Sequence, residues 1–350
     1  MKTERKIKIV FALFLCFIMP MTFVACGNNN SGPLAFAVGT NPSGIAIDAA
    51  GNIWVTNQGD NTVTKLSSSG AVIGTFTVGN NPHGIGIDAF GNVWVTNQGN
   101  TSNPSNTVTK LSSSGAVLGT FTVGNSPRGI HIDASGNVWV ANHGEIGNPL
   151  DNTVTKLSSS GAVLGTFTVG TGPVGLAIDV SGNVWVANQG ANAAPGNTIT
   201  ELSSTGALLG TFTVGSQPQN IRIDPSGNLW VLNPGNDAAP GNTIMKLSST
   251  GTLLGTFTVG SESRGLAIDS ANNLWVTNYG SIAVPGTTVS ELSTSGTLIN
   301  SVTVGNSPGG IAIDSVGNVW VANNGSNSVT FIAGVASGPE FSPYKGPIWP

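Results

Sequence analysis

Charge is scarce in this chain: acidic and basic residues together make up 8% of 350 positions, and the formal net charge is −4. A chain this poor in basic residues lacks the electrostatic footprint of a nucleic-acid binder, so nucleic acid is not an expected partner. Cysteine is nearly absent. Cys16 and Cys26 are the two present, both near the N-terminus, which excludes a disulfide framework and a cysteine zinc site from the remainder. No segment shows the 3.6-residue apolar period of an amphipathic helix. P-loop, nucleophile-elbow and zinc-ligand spacings are also missing. What is abundant is glycine, with 49 residues, alongside Ser, Thr and Asn, and 39% of positions are apolar. Disordered chains share the polar part of this composition but not regularly placed Trp, Ile, Val and Phe, so a packed structure is expected.

The first residues read as a targeting segment. Lys2, Arg5, Lys6 and Lys8 form a basic cluster, Ile9 to Ala25 an apolar run, and Phe23-Val24-Ala25-Cys26 resembles a bacterial lipoprotein cleavage box. Residues 1–25 are thus expected to be a signal peptide and Cys26 the lipidated residue, with 26–33 a flexible Gly/Asn/Ser tether. The protein is expected to be exported and membrane-anchored at the cell envelope. Removing residues 1–25 leaves eight basic against fifteen acidic side chains, a net charge near −7.

From there one unit repeats. An Asp recurs at Asp48, Asp88, Asp133, Asp179, Asp224, Asp269 and Asp314. A Trp follows six residues later each time, at Trp54, Trp94, Trp139, Trp185, Trp230, Trp275 and Trp320. Spacings of 40 to 46 residues suit four-stranded propeller blades. Each copy divides at turn signals into four short strand-like runs, here A (GIAID), B (NIWVTN), C (NTVTKLS) and D (AVIGTFTVG). Alternate residues of B are all worth burying, as expected of a strand with a blade on either side. The Asp series is read as turn-forming, because it lacks the alternating acidic ligands of a calcium loop.

The seventh copy has A, B and C but no D. Phe36, Val38 and Gly39 near the start match Phe76, Val78 and Gly79 of the first D strand. The expected fold is therefore all-β: a seven-bladed β-propeller of four-stranded antiparallel blades over 34–334, its last blade completed by the N-terminal strand. This clasp removes two exposed edges. A Pro-rich tail, 335–350, follows, and a monomer is expected.

The pattern P-x-G-I-x-I-D-x-x-G-N-x-W-V-x-N, as in Pro42 to Asn57, resembles the NHL repeat and the blades of the streptogramin (virginiamycin B) lyase family. Propellers of this kind include enzymes, ligand binders and interaction scaffolds, so the resemblance speaks to fold more than to function. If this chain were lyase-like, the resemblance implies paired His at P-H-G-I positions of neighbouring blades, a Glu at the end of a B strand and a magnesium ion. His83 fits once; Arg128 and Ser43 stand in the adjacent copies. His143 and Glu145 are the candidates for the remaining roles.

Function is otherwise sought where the copies differ. Up-and-down strand order places the D–A and B–C connections at one end of the ring. Blades two to six carry B–C insertions there (Asn100 to Pro104, Glu145 to Leu150, and around Pro195, Pro240 and Pro285), whereas blades one and seven do not. The residue before strand A's glycine reads Ser43, His83, Arg128, Val174, Gln219, Arg264 and Gly309. His131 and Arg222 replace a small residue inside strand A, and His143 ends a B strand. With Gln219, Asn220 and the B-end asparagines (Asn57, Asn97 and their counterparts), these groups predict a polar mouth with local positive charge. Lys65 and Lys110 fall on outer strands, away from it. The expected function is a surface-tethered propeller binding a small polar or anionic ligand, or a protein partner, through His83, Arg128, His131, His143, Gln219, Arg222 and Arg264. A cofactor is expected only under the lyase alternative, as magnesium.

Overall fold

The computed structural model describes residues 32–100, 102–144, 151–191, 193–236, 239–281, 283–338 and 340. The segment expected to direct export, Cys26, Glu145 and the last ten residues lie outside them.

Among the described residues the strands form seven four-stranded antiparallel sheets, six of them in simple A-B-C-D order. Blade one comprises Pro42–Ile47, Ile53–Asn57, Thr62–Leu66 and Val72–Thr77. The seventh sheet closes the ring as expected. Leu34–Ala37 pairs antiparallel with Ser328–Ile332 of blade seven, Leu34 opposite Phe331 and Ala37 opposite Ser328. Phe36 stacks near Trp320, with centroids 6.0 Å apart. Its ring also fills the space a side chain at Gly70 of blade one would need, just as Phe76 fills the space at Gly115 of blade two. Gly70 sits at φ +85, a conformation that glycine alone adopts freely, so both steric and backbone reasons fix the residue.

The Asp and Trp of each copy are a bonded pair. Trp54 Nε1 donates to Asp48 Oδ2 at 3.0 Å, while Asp48 Oδ1 accepts the amides of Ala50 and Asn52. The same indole bond recurs in every blade. The Asp therefore builds the A–B turn and satisfies the one polar atom of a Trp that is otherwise fully buried between blades.

The lysines lie away from the mouth, as the sequence suggested, but on strand C, inside the outer strand D, and they are not free. Lys65 is 9% exposed. Its Nζ lies 4.6 Å over the Trp54 ring, 3.6 Å from Asp48 Oδ2, and donates to Ser113 O of the next blade at 2.8 Å. Lys110, Lys156 and Lys246 repeat the arrangement. Strand C runs between B and D, so a long side chain on it reaches inward along the Trp to the neighbouring C–D turn.

Two further features position the site. The insertions of blades two, four, five and six are continuations of the B–C hairpins, as in Val93–Asn100 with Asn103–Leu111, so the mouth end carries raised β-ribbons rather than loose loops. At the other end the chain beyond strand C of blade seven crosses blades six and seven. Val335 and Ala336 pack beside Ala267, Trp275 and Ile313, Ser337 N donates to Asp269 Oδ2 at 3.0 Å, and Glu340 bridges to Asp269.

Candidate functional site

The A strands surround the axis, and a cavity of about 280 Å³ opens among their first residues at the D–A and B–C end. The residue after the variable mouth position is glycine in six blades. A side chain at Gly44 or Gly84 would strike the carbonyl of His83 or Arg128 in the adjacent blade, so glycine lets the inner strands close up. Blade five has Asn220 instead, and its amide donates to Arg264 O at 3.2 Å. Below this layer Ile45, Ile85, Ile130, Leu176, Leu266 and Ile311 form an aliphatic collar.

His83, Arg128, Gln219, Arg222 and Arg264 all line the cavity, as the sequence led us to expect. Arg128 is held by amides: Nη1 donates to Gln189 Oε1 at 3.2 Å, and the Gln98 oxygen, turned toward it, accepts from Nε and Nη2 at 2.8 and 3.0 Å. Arg264 lies over the Tyr279 ring, 3.5 Å from its centroid. Burial and then the charge of Arg264 lower the Arg128 pKa to about 10. Burial, followed by the charges of Arg128, Arg264 and His143, pushes His83 down to about 3, so it is neutral at pH 7. Among the described residues no Asp or Glu lines the cavity, and neither Arg128 nor Arg264 forms an ion pair. Among the described residues the mouth thus holds two fixed positive charges with no acidic partner.

His143 and His131 are not among the lining residues. His143 is buried behind Arg128, its Nε2 3.2 Å from the same Gln189 oxygen, and burial and then the charge of Arg128 push its pKa to about 4. His131 sits deeper in its strand, its pKa lowered to about 4 by burial and then by Arg222. Arg222 Nε in turn lies 3.8 Å from Glu340 Oε1, and Glu340 Oε2 accepts the Ile313 amide. Its charge therefore has a partner from the C-terminal segment, whereas Arg128 and Arg264 have no acidic partner among the described residues. The B-end asparagines do not belong to the mouth either. Asn57 and Asn97 are fully buried, and their amides donate to Thr62 and Thr64, and to Thr107 and Thr109. Asn97 Oδ1 also receives the Gly79 amide.

The residues that sequence reasoning missed share the column that contains His143. The position just after each B-end asparagine reads Gln58, Gln98, His143, Gln189, Pro234, Tyr279 and Asn324. Gln58, Tyr279 and Asn324 line the cavity, while Gln98, His143 and Gln189 hold Arg128 or each other. That column is as variable between copies as the one that contains Arg128, and the same comparison would have found it.

A magnesium ion does not fit the described side chains of the mouth. Magnesium takes hard oxygen ligands, above all carboxylates, whereas the mouth presents guanidinium groups. Among the described residues no three His, Cys, Asp or Glu side chains group to hold a metal.

The seven-bladed fold is that of streptogramin B lyase-like propellers. A streptogramin B lyase structure matches with 19% identity over 85% of this chain and 96% of that one, at a TM-score of 0.71. The virginiamycin B lyase of Staphylococcus aureus matches with 17% identity over 85% and 98%, also at 0.71. The hydrazine synthase of Kuenenia stuttgartiensis reaches the same TM-score with 16% identity over 85% and 96%. Identities this low establish the architecture alone. No protein-family model and no curated protein sequence matches the chain.

Proposed function

We propose that this protein is a binding propeller that captures a small anionic, hydroxyl-bearing ligand at its axial mouth, tethered outside the cytoplasm through its N-terminal segment and Cys26. The observation that carries the reading is the pair Arg128 and Arg264, which has no acidic partner among the described residues and is pre-oriented by uncharged neighbours. A ligand carboxylate or phosphate would relieve their repulsion and accept charge-assisted hydrogen bonds from planar donors already in place. Gln58, Gln219, Asn220 and Asn324 surround them with amides suited to hydroxyl groups. Binding rather than turnover is favoured because the lining offers one histidine, His83, whose depressed pKa makes it a weak base at pH 7.

The test is calorimetric titration with citrate, glucuronate and inorganic phosphate. At least one is expected to bind, and Arg128→Ala or Arg264→Ala to weaken it by about 1.5–3 kcal/mol per lost charge-assisted bond. Affinities that survive both substitutions would remove the mouth from consideration. Turnover of a streptogramin B substrate that is lost in His83→Ala would replace binding with the lyase alternative.

A further inference from the structure

The opposite end of the ring has a character of its own. Strand D is the free edge of its blade, and exposed edges are ordinarily protected by lysine or other charges. Here the C–D turn and the whole D strand, as in 67–79, contain no charged residue in any of six blades. Each D strand instead opens on two adjacent aliphatic residues, such as Val72-Ile73, Val117-Leu118 and Leu208-Leu209. All the residues of these pairs, including those of blades three, five and six, are 53–63% exposed. The A–B turns at the same end add Phe90, Val180 and Val316 at 72–80% exposure. Single exposed aliphatics are ordinary, but a repeated neutral rim of them marks an interaction surface.

The covalent path of the chain indicates what this rim meets. Leu34 stands opposite Phe331 in the register that sets Gly74 opposite Lys65 in blade one, so residues 1–33 join the propeller at the C–D end of an outer strand. Those residues include the basic cluster Lys2 to Lys8 and the apolar run Ile9 to Ala25. Residues 26–33, which link that run to the propeller, span at most roughly 30 Å even fully extended. We propose that the A–B and C–D end of the propeller rests on a lipid bilayer, with the aliphatic pairs entering the interfacial layer and the cavity facing away into solution.

The mature form expected from the sequence, residues 26–350, carrying Cys26→Ser and so lacking both the apolar run and acylation, tests this by flotation with phosphatidylcholine vesicles. These lipids have no net charge, so repulsion of added acids does not confuse the result. The Cys26→Ser protein is expected to float. Adding Leu118→Glu, Leu164→Glu and Leu209→Glu should reduce the bound fraction at least tenfold, while Val284→Glu at the mouth end leaves it unchanged. If the glutamate variant loses its cooperative melt, the same three positions changed to Ser serve in its place. Equal flotation with and without the rim substitutions would assign binding to another part of the chain and overturn the proposal. Failure of the Cys26→Ser protein to float would overturn it too, as would a rim-dependent oligomer that ignores vesicles. Anion binding at the mouth should be untouched by the rim substitutions, so the two readings fail separately.

Discussion

Arg264 rests on Tyr279, the guanidinium carbon 3.5 Å from the ring centroid. Tyr279 comes from strand B of the same blade and Arg264 from strand A, so the ring acts as a platform that fixes an otherwise exposed cation at the mouth. A cation over an aromatic face gains about 0.5–2 kcal/mol. Tyr279→Leu is therefore expected to weaken anion binding roughly two- to thirtyfold, whereas Tyr279→Phe keeps the face and gives up only the 3.4 Å hydroxyl contact with Asn324. Calorimetry with the anion that the wild type binds distinguishes the two; equal losses in both variants would show that the hydroxyl, not the platform, matters.

The three histidines make acid stability a second measurable consequence. His83, His131 and His143 have folded pKa values of about 3, 4 and 4 against an ordinary 6.5, in each case chiefly because burial disfavours the charged ring. Between those values the unfolded chain binds more protons than the folded one, so stability falls as pH drops through 6.5 toward 4. Glu340 works in the opposite direction, its pKa raised by burial. Urea melts of the wild type at pH 7.5 and 5.5 should show a loss of stability on acidification, and His143→Gln should shrink that loss. A variant with an unchanged pH difference would mean that His143 is not held neutral by its surroundings.

The repeat was legible because one physical problem is solved the same way seven times. An Asp that builds a turn and bonds a buried indole fixes two positions six residues apart, and that spacing can be read directly in the chain. Ring closure was legible for the same reason, since Phe36 repeats the role of Phe76. The site was only half legible. Charge at Arg128 and Arg264 stood out in a column that changes from copy to copy, while Gln98 and Gln189 hid among many Asn, Gln and Ser. Their role depends on the approach of blades two and four to an arginine of blade three, which no single copy reveals. The contacts of Lys65 were not legible, because its position on strand C says nothing of the reach of a four-carbon stem along a neighbouring Trp.

That lysine position yields a third prediction, because three blades lack it. Blades four and six have Glu201 and Glu291 there, and blade seven has Phe331. The pKa of each glutamate is raised, first by burial and then by the turn carboxylate, Asp179 or Asp269. Glu201→Lys would place an ammonium over Trp185, beside Asp179 and within reach of the blade-five turn, and would remove a like-charge pair. The expected gain is about 1 kcal/mol, visible as a higher urea midpoint. Lys110→Met, which removes the bond to Ser159 O, should lose about 1–3 kcal/mol. A lower midpoint for Glu201→Lys would show that these lysines are not what joins the blades.

The last prediction concerns the seam inside blade seven, where strand C meets the N-terminal strand by pairing alone, with no C–D turn between them. Leu34–Ala37 supplies the outer strand of blade seven, and Phe36 reaches from there to the blade-one turn at Gly70. Deleting 34–37 leaves Ser328–Ile332 as an unpaired edge and withdraws an aromatic ring from beside Trp320. Both effects act at the seam where ring opening must begin, so the deletion should lower the melting temperature and bring on aggregation. Excising Ala191 to Ala194 from the blade-four hairpin removes a comparable length of chain from a solvent-exposed tip, and the melt should stay nearly unchanged. Thermal scans of the two deletions side by side check this. A clasp deletion that melts like the wild type would mean that the ring is held by its inner strands alone, through the close glycine contacts around the axis, and that the outer strand merely covers an edge.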